Sequence, residues 1–296
     1  MVGVALALLA EALNTRVWDV DEVRDRLGLP ILAQVPDPPA KASRQPLMLT
    51  DPWSIYAEPF RTLRTNLDLV NRERGAKTMM FGSAGDEEGK STTLANLAVA
   101  LARSGRSVAV VDFDLRRPTL HRLFRVTPTP GLTDVVLGNA TLEEALQTVA
   151  FPTREGPDGR VSNGKALVKG VVHVLACGPS PVDYELIGDG PVSTILQELK
   201  TRFDCVLVDT PPLLRVGDGL ALSPQIDATI LVVRLNRVQR HSLTELTQTL
   251  SASPAKPLGI VATGVVGAER RYSYGAEGRN ERGRPEPSRV GTEANP

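Results

Sequence analysis

The sequence predicts a doubly wound α/β fold with a mainly parallel sheet. From Lys77 to Val266, short apolar runs alternate with stretches of helical periodicity. Aromatic residues make up only 4% of the 296 residues, so Ala, Val and Leu must fill the core, as they do in strands covered by helices on both faces. Several of the runs end in residues that handle phosphate or metal, which is where a sheet of this kind presents its ligand site.

The elements follow in chain order. Val2 to Ala10 is apolar, but Glu11 and Asn14 interrupt it, and a spanning helix needs ~20 apolar residues. It is either the cytoplasmic end of a membrane helix that begins outside this chain or the start of an amphipathic or buried helix. Asp19 to Leu27 is expected to form a short helix, opened by its Asp cap and closed at Gly28. Leu29 to Val35 reads as a strand, and the Pro-rich stretch from Pro36 to Pro46 as a linker. Within Asp51 to Asn71, Phe60, Leu63, Leu67 and Val70 share one helical face. Arg61 and Arg64 lie on another side near Glu58, which suits either a solvated face or a surface that pairs with a neighbouring subunit.

The chain is organised around MMFGSAGDEEGKSTTLANLA, Met79 to Ala98. Met79 to Phe81 fits the end of a buried strand, and Gly82 to Gly89 is a polar, turn-rich loop. From Lys90 the apolar positions Leu94, Leu97, Ala98, Leu101 and Ala102 recur at helical spacing until Gly105. Strand, Gly-Lys-Ser loop and helix have the layout of a phosphate-binding loop; the blander reading is a strand–helix turn that merely contains Gly-Lys-Ser. Backbone N–H groups and the helix N-terminus face the phosphates, Lys90 reaches them, and the Ser91 hydroxyl binds Mg²⁺. The strict spacing would place a Gly where Ala84 stands.

Ser107 to Asp112 is the next strand, followed by FDLRRP. On an extended backbone Asp112 and Asp114 share one face. Beside a phosphate loop they are placed to hold Mg²⁺ or to accept a proton; the blander reading is a pair of acids capping the next helix. Gly131 to Val149 carries two short helical patterns, Leu132 to Leu137 and Leu142 to Val149, and Phe151 to Lys169 reads as an exposed loop. Val171 to Ala176 is a strand and Pro191 to Arg202 a helix. Cys205 to Val208 is apolar and ends at Asp209, the Walker B arrangement of a carboxylate that orders Mg²⁺. Ala228 to Val233, Leu243 to Leu250 and Leu258 to Thr263 close the series as strand, helix and strand, with Asp218 and Asp227 given no role. Such a fold gathers Lys90, Ser91, Asp112, Asp114 and Asp209 at one site. The tail from Gly267 to Pro296 is almost free of apolar residues and is expected to be disordered, yet it holds two of the four tyrosines, Tyr272 and Tyr274.

Composition narrows the function. Lys plus Arg equals Asp plus Glu at 34 each, so no basic field draws the protein to nucleic acid. Cys177 and Cys205 sit in apolar contexts, as buried thiols of a reducing cytoplasm do, and with no Cys/His cluster a zinc site is not expected.

These residues resemble the bacterial tyrosine kinases that use Walker motifs, the cytoplasmic kinase part of polysaccharide co-polymerases in capsule and exopolysaccharide export. The resemblance covers Met1 to Tyr274. AVVDFDLRRP, Ala109 to Pro118, matches an apolar triplet followed by D-x-D-x-R; VLVDTPP matches Walker B; Glu58, Arg61 and Arg64 match E-x-x-R-x-x-R. ALALLAEALNTRV and LGLPILAQVP resemble the stretch after the second membrane helix of the fused co-polymerase.

The resemblance implies a P-loop NTPase of the MinD/ParA-like type, with residues 1–46 as juxtamembrane segment and linker, 47–266 as kinase domain and 267–296 as tail. It implies an ATP- and Mg²⁺-dependent protein-tyrosine autokinase regulating exopolysaccharide or capsule synthesis at the cytoplasmic face of the cell membrane. Lys90 would grip the phosphates, with Gly85, Glu88, Gly89, Ser91, Thr92 and Arg116 also holding nucleotide. Ser91, Asp112 and Asp209 would hold the metal, Asp112 and Asp114 would assist deprotonation of tyrosine, and Tyr272 and Tyr274 would be phosphorylated by a neighbouring subunit. The partners implied are a ring-like homo-oligomer through Glu58, Arg61 and Arg64, a membrane-embedded co-polymerase or activator segment, and a cognate tyrosine phosphatase.

Three departures stand out. Asp86-Glu87 replaces the family's usual Pro-Gly. A carboxylate ~6 Å from a phosphate charge costs about 3 kcal/mol at an effective dielectric of ~20, so nucleotide binding requires both side chains to face solvent. Thr263 stands where the family usually has an Asn that helps recognise the base, and the tail has two tyrosines rather than a longer cluster. Two competing readings follow: a kinase-weak oligomeric scaffold of the export system, and a ParA/MinD-type partitioning ATPase, against which stands Gly85 in the place of that group's extra loop lysine.

Overall fold

Strands that are apolar on both sides build this protein. Val110 and Leu207 turn to one face of the sheet and Val111 and Val208 to the other, and all four are buried. The computed structural model describes residues 15–38, 44–152, 169–179, 189–215 and 218–268. Its strands are β1 (Ile31–Val35), β2 (Thr78–Gly82), β3 (Val108–Asp112), β4 (Leu146–Pro152), β5 (Lys169–Leu175), β6 (Cys205–Asp209), β7 (Ala228–Arg234) and β8 (Pro257–Thr263). Among the described residues they form one sheet in the order β1-β8-β7-β2-β6-β3-β5-β4, parallel except for β4.

The helices are α1 (Val20–Leu27), α2 (Leu47–Thr50), α3 (Glu58–Asn71), α4 (Lys90–Arg103), α5 (Leu120–Phe124), α6 (Leu132–Val136), α7 (Leu142–Ala145), α8 (Asp189–Arg202), α9 (Asp218–Ala221) and α10 (Arg240–Ala252). On one face α3 and α4 bury Phe60, Leu63, Leu67 and the run from Leu94 to Ala102. Small Ala side chains let α4 lie close to the sheet, so nearly every residue of it is buried. On the other face α8 packs through Val192, Ile195, Leu196 and Leu199, and α10 packs with α1. Among the described residues no helix is long and apolar enough to cross a membrane.

Two expectations change, and the early helix and strand take their places in the core. The helical pattern from Leu142 to Val149 stops at Ala145. A Thr141–Glu144 capping box secures one turn, and then the β-branched Thr148 and Val149 join β4, which pairs antiparallel with β5 along its length. Arg103 stacks over the buried Phe151 ring of that strand at 5.2 Å. The helix expected over Asp19 to Leu27 forms as α1, and the strand expected over Leu29 to Val35 forms as β1. β1 is the sheet's edge strand, paired with β8, and Val17, Val20, Val23 and Leu27 belong to the core beneath α10. Asp227 has a structural task, its carboxylate accepting the N–H groups of Lys77 and Thr78 at 2.9 Å each and pairing with Lys200.

A Cβ at Gly259 would lie 2.7 Å from the Pro30 carbonyl oxygen and from Leu32 Cγ. Gly259→Ala should therefore force β1 off β8 and destabilise the fold by about 1–3 kcal/mol. Thermal unfolding checks this, and an unchanged Tm would contradict the pairing of β1 with β8.

Candidate active site

Three neighbouring strand ends make the site. In register, Phe81 of β2 pairs with Asp209 of β6, and Asp209 pairs with Asp112 of β3. The loop that leaves β2 delivers Lys90 into the first turn of α4. Gly89, just before it, has φ +90°, a conformation that glycine adopts without strain. No side chain caps α4, so its first N–H groups are left for a ligand. Gly89, Lys90, Ser91 and Thr92 line a cavity of about 240 Å³ together with Asp114 and Arg117.

Lys90 Nζ lies 2.9 Å from Asp209 Oδ1 and 4.0 Å from Asp114 Oδ2. Burial draws the pKa of the ammonium down. The Asp209 carboxylate, helped by Asp114 and Asp112, more than offsets this and holds the lysine above its usual value. The second oxygen, Asp209 Oδ2, is buried with no hydrogen-bond partner. An unpaired carboxylate oxygen in a dry site is costly and marks a place for a cation or its water.

The two acids after β3 divide their work. Asp112 is fully buried, and its Oδ2 accepts the N–H groups of Thr119 and Leu120 at 2.9 Å each. It therefore caps α5, as the blander reading had it. Burial and the neighbouring Asp209 push its carboxyl up to about 7 against those two bonds. Asp114 instead lines the cavity, its Oδ1 accepting the Arg117 N–H at 3.0 Å and its Oδ2 facing Lys90. Burial raises its carboxyl too, and Lys90 opposes that rise. Lys90, Asp112, Asp114 and Asp209 thus meet at one place, with Asp114 at the cavity wall and the other two acids behind it. Ser91, Thr92, Gly85, Glu88 and Gly89 also line the cavity. Arg116 is exposed and outside that wall, and Arg117 stands in it.

The loop acids that depart from the family are each met by arginine. Asp86 Oδ2 is 2.8 Å from Arg215 and 3.6 Å from Arg117. Glu87 is 2.7 Å from Arg237, which holds its carboxyl low and also donates to its carbonyl at 3.2 Å. Glu87 has φ +57°, the left-handed backbone that explains a glycine preference at this position. Glu88 turns inward and is 4% exposed. Its carboxylate accepts the N–H groups of Gly85 and, at 3.1 Å, Arg234, and burial pushes it up to about 7. Its carbonyl accepts the Thr263 hydroxyl at 2.7 Å. Thr263 is therefore a latch between the loop and the end of β8. The sequence hid these contacts because Arg215 and Arg237 lie 129 and 150 residues from the acids they meet.

Glu58 pairs with Arg61 in its own helix, and the Arg61 guanidinium lies 5.3 Å over the Trp53 ring. Arg64 is half-buried on the same helix. Tyr272 and Tyr274 lie outside the described residues.

Two measurements test the loop. A folded pKa of about 7, above the ordinary 4.5, means that Glu88 keeps its proton longer in the folded state. Its contribution to stability is full below the unfolded value and is lost as pH rises to about 7. At about 1.4 kcal/mol per unit this amounts to a few kcal/mol. Glu88→Gln should erase that slope, so its Tm should gain on wild type between pH 5 and pH 8; a constant difference would show that Glu88 does not titrate there. Glu87→Gly should raise Tm by about 2 °C, because left-handed strain outweighs an exposed ion pair. A fall would give the Arg237 contact the larger part.

A family model described as the CobQ/CobB/MinD/ParA nucleotide binding domain matches residues 79–277. The chain is 34% identical over 226 residues to the tyrosine-protein kinase YwqD of Bacillus subtilis, covering 76% of this chain and 88% of that one. It is 28% identical over 256 residues to the tyrosine-protein kinase ptk of Acinetobacter johnsonii, 83% of this chain but only 32% of that longer protein. Among solved structures, the BceF tyrosine kinase domain matches with a TM-score of 0.69 and 26% identity, over 84% of this chain and 99% of that one. The chain belongs to the CobQ/CobB/MinD/ParA nucleotide-binding family and, within it, to the bacterial tyrosine kinases.

Proposed function

We propose that this chain is an ATP-dependent protein-tyrosine autokinase. The observation that carries the reading is the buried Lys90–Asp209 pair beside an unpaired carboxylate oxygen, at the floor of a phosphate loop. Three carboxylates share one ammonium there, so the site is short of positive charge. The residues fit Mg²⁺: the Ser91 hydroxyl and Asp114 stand at the cavity wall, with Asp209 and Asp112 behind. Among the described residues no protein-only metal cage forms, and Mg²⁺ usually takes one or two carboxylates and fills its shell with phosphate and water. When bound, the ion neutralises charge on the transferring phosphoryl group.

The chain's own groups supply the rest. The N–H groups opening α4 cradle the phosphates, and Lys90 exchanges a carboxylate for a phosphate oxygen. A phenol with pKa ≈ 10 must lose its proton during transfer. Asp114 faces the cavity with its carboxyl raised above the ordinary aspartate range, and it takes that proton. The acceptors are Tyr272 and Tyr274 of a neighbouring subunit, in a ring-like oligomer joined through Glu58, Arg61 and Arg64. The setting is exopolysaccharide or capsule synthesis at the cytoplasmic face of the membrane, with a co-polymerase segment as activator and a tyrosine phosphatase as antagonist. The alignment of this chain with one third of a longer kinase supports a kinase part that works with further segments. The scaffold reading loses its basis where Asp86 and Glu87 are neutralised by arginines. Gly85 weighs against the partitioning ATPase.

Incubation with Mg-ATP should place phosphate on Tyr272 or Tyr274, read by mass spectrometry. Replacing both by Phe should abolish it, and persistence would move the acceptor elsewhere. Lys90→Met should cut phosphorylation by about 100-fold or more. A wild-type chain that takes up no phosphate would overturn the kinase reading.

A further inference from the structure

We propose that Arg117 is a nucleotide-binding arginine of this site, held at the cavity mouth by Asp86 and passed to the terminal phosphate when ATP arrives. The proposal rests on the kinase reading and adds to it a residue that tells ATP from ADP.

Three features carry it. First, Arg117 is fixed at its root and loose at its tip. Its backbone N–H donates to Asp114, the acid that faces Lys90, while its side chain is 68% exposed. Second, its partner can spare it. Asp86 Oδ2 is 3.6 Å from Arg117 but 2.8 Å from Arg215, so Asp86 stays paired when Arg117 leaves. The exchange strands no charge. Third, Arg117 stands between two hollows. The phosphate cavity and a neighbouring hollow of about 550 Å³ share the wall 85–88, and among the described residues Arg117 is the shared residue outside the loop. Arg215 and Arg237 line only the outer hollow.

The chemistry fits a terminal phosphate. A guanidinium presents a planar fork to two phosphate oxygens, where an ammonium offers a point charge. Lys90 must give up a buried carboxylate to reach phosphate, whereas Arg117 adds a cation that costs little to move. Asp86, a repulsive intruder in the loop's sequence, becomes the holder of that cation before nucleotide binds and a competitor for it afterwards.

The test titrates the protein by calorimetry with Mg-ADP and with the Mg complex of a non-hydrolysable ATP analogue. Arg117→Ala should weaken the analogue about tenfold, the size of a lost charged hydrogen bond, and ADP less than about threefold. Arg117→Lys should fall between. Asp86→Asn should tighten the analogue in the wild-type background and leave it unchanged in the Arg117→Ala background. Equal effects of Arg117→Ala on both nucleotides, or an Asp86→Asn effect independent of Arg117, would overturn this proposal while leaving the kinase reading intact. A wild-type chain that binds neither nucleotide would overturn both.

Discussion

One buried ion pair governs the site. Lys90 and Asp209 meet at 2.9 Å where the central strands end, and both are nearly closed to water. Removing two charges from water is expensive, and their attraction repays it only with good geometry and further partners. Here the partners are incomplete. Asp112 and Asp114 add negative charge, and Asp209 keeps one oxygen unsatisfied. The apolar packing of both sheet faces carries that cost, and the strained balance leaves the site ready for a cation and an anion together.

The phosphate loop is built to sit over this pair without collapsing onto it. Glu88 ties it to the end of β7 through the Arg234 N–H, and Thr263 ties it to the end of β8 through the Glu88 carbonyl. Gly89 makes the left-handed turn into α4. Two more acids would make the mouth hostile to phosphate in isolation, but Arg215, Arg117 and Arg237 reach in from later segments. The mouth ends with three guanidinium groups against two carboxylates.

Much of this was legible in the sequence because it is local. The strand ends at Phe81, Asp112 and Asp209 show as apolar runs closed by polar residues, and the Gly-Lys-Ser turn reads directly. Parallel topology then brings the three ends together without further information. What failed to read was non-local. β4 carries a helical spacing of apolar residues, and only the open edge of β5 makes it a strand. β1 reads as a strand, but its place at the sheet's edge beside β8 does not show in the sequence. Asp112 and Asp114 are alike in sequence, and only the position of α5 decides that one caps a helix while the other meets the cavity. No pattern in FDLRRP says that Arg117 rather than Arg116 stands at the cavity wall.

The proposed function requires that the buried carboxylates around Lys90 lack enough positive charge until Mg²⁺ and nucleotide bind. The most direct measurement is the affinity for ADP with Mg²⁺ and with EDTA, in wild type and in Asp209→Asn. Mg²⁺ should tighten binding to the wild type by about tenfold or more, and Asp209→Asn should lose that gain. Equal wild-type affinity with and without the metal would contradict a metal-dependent site at Asp209.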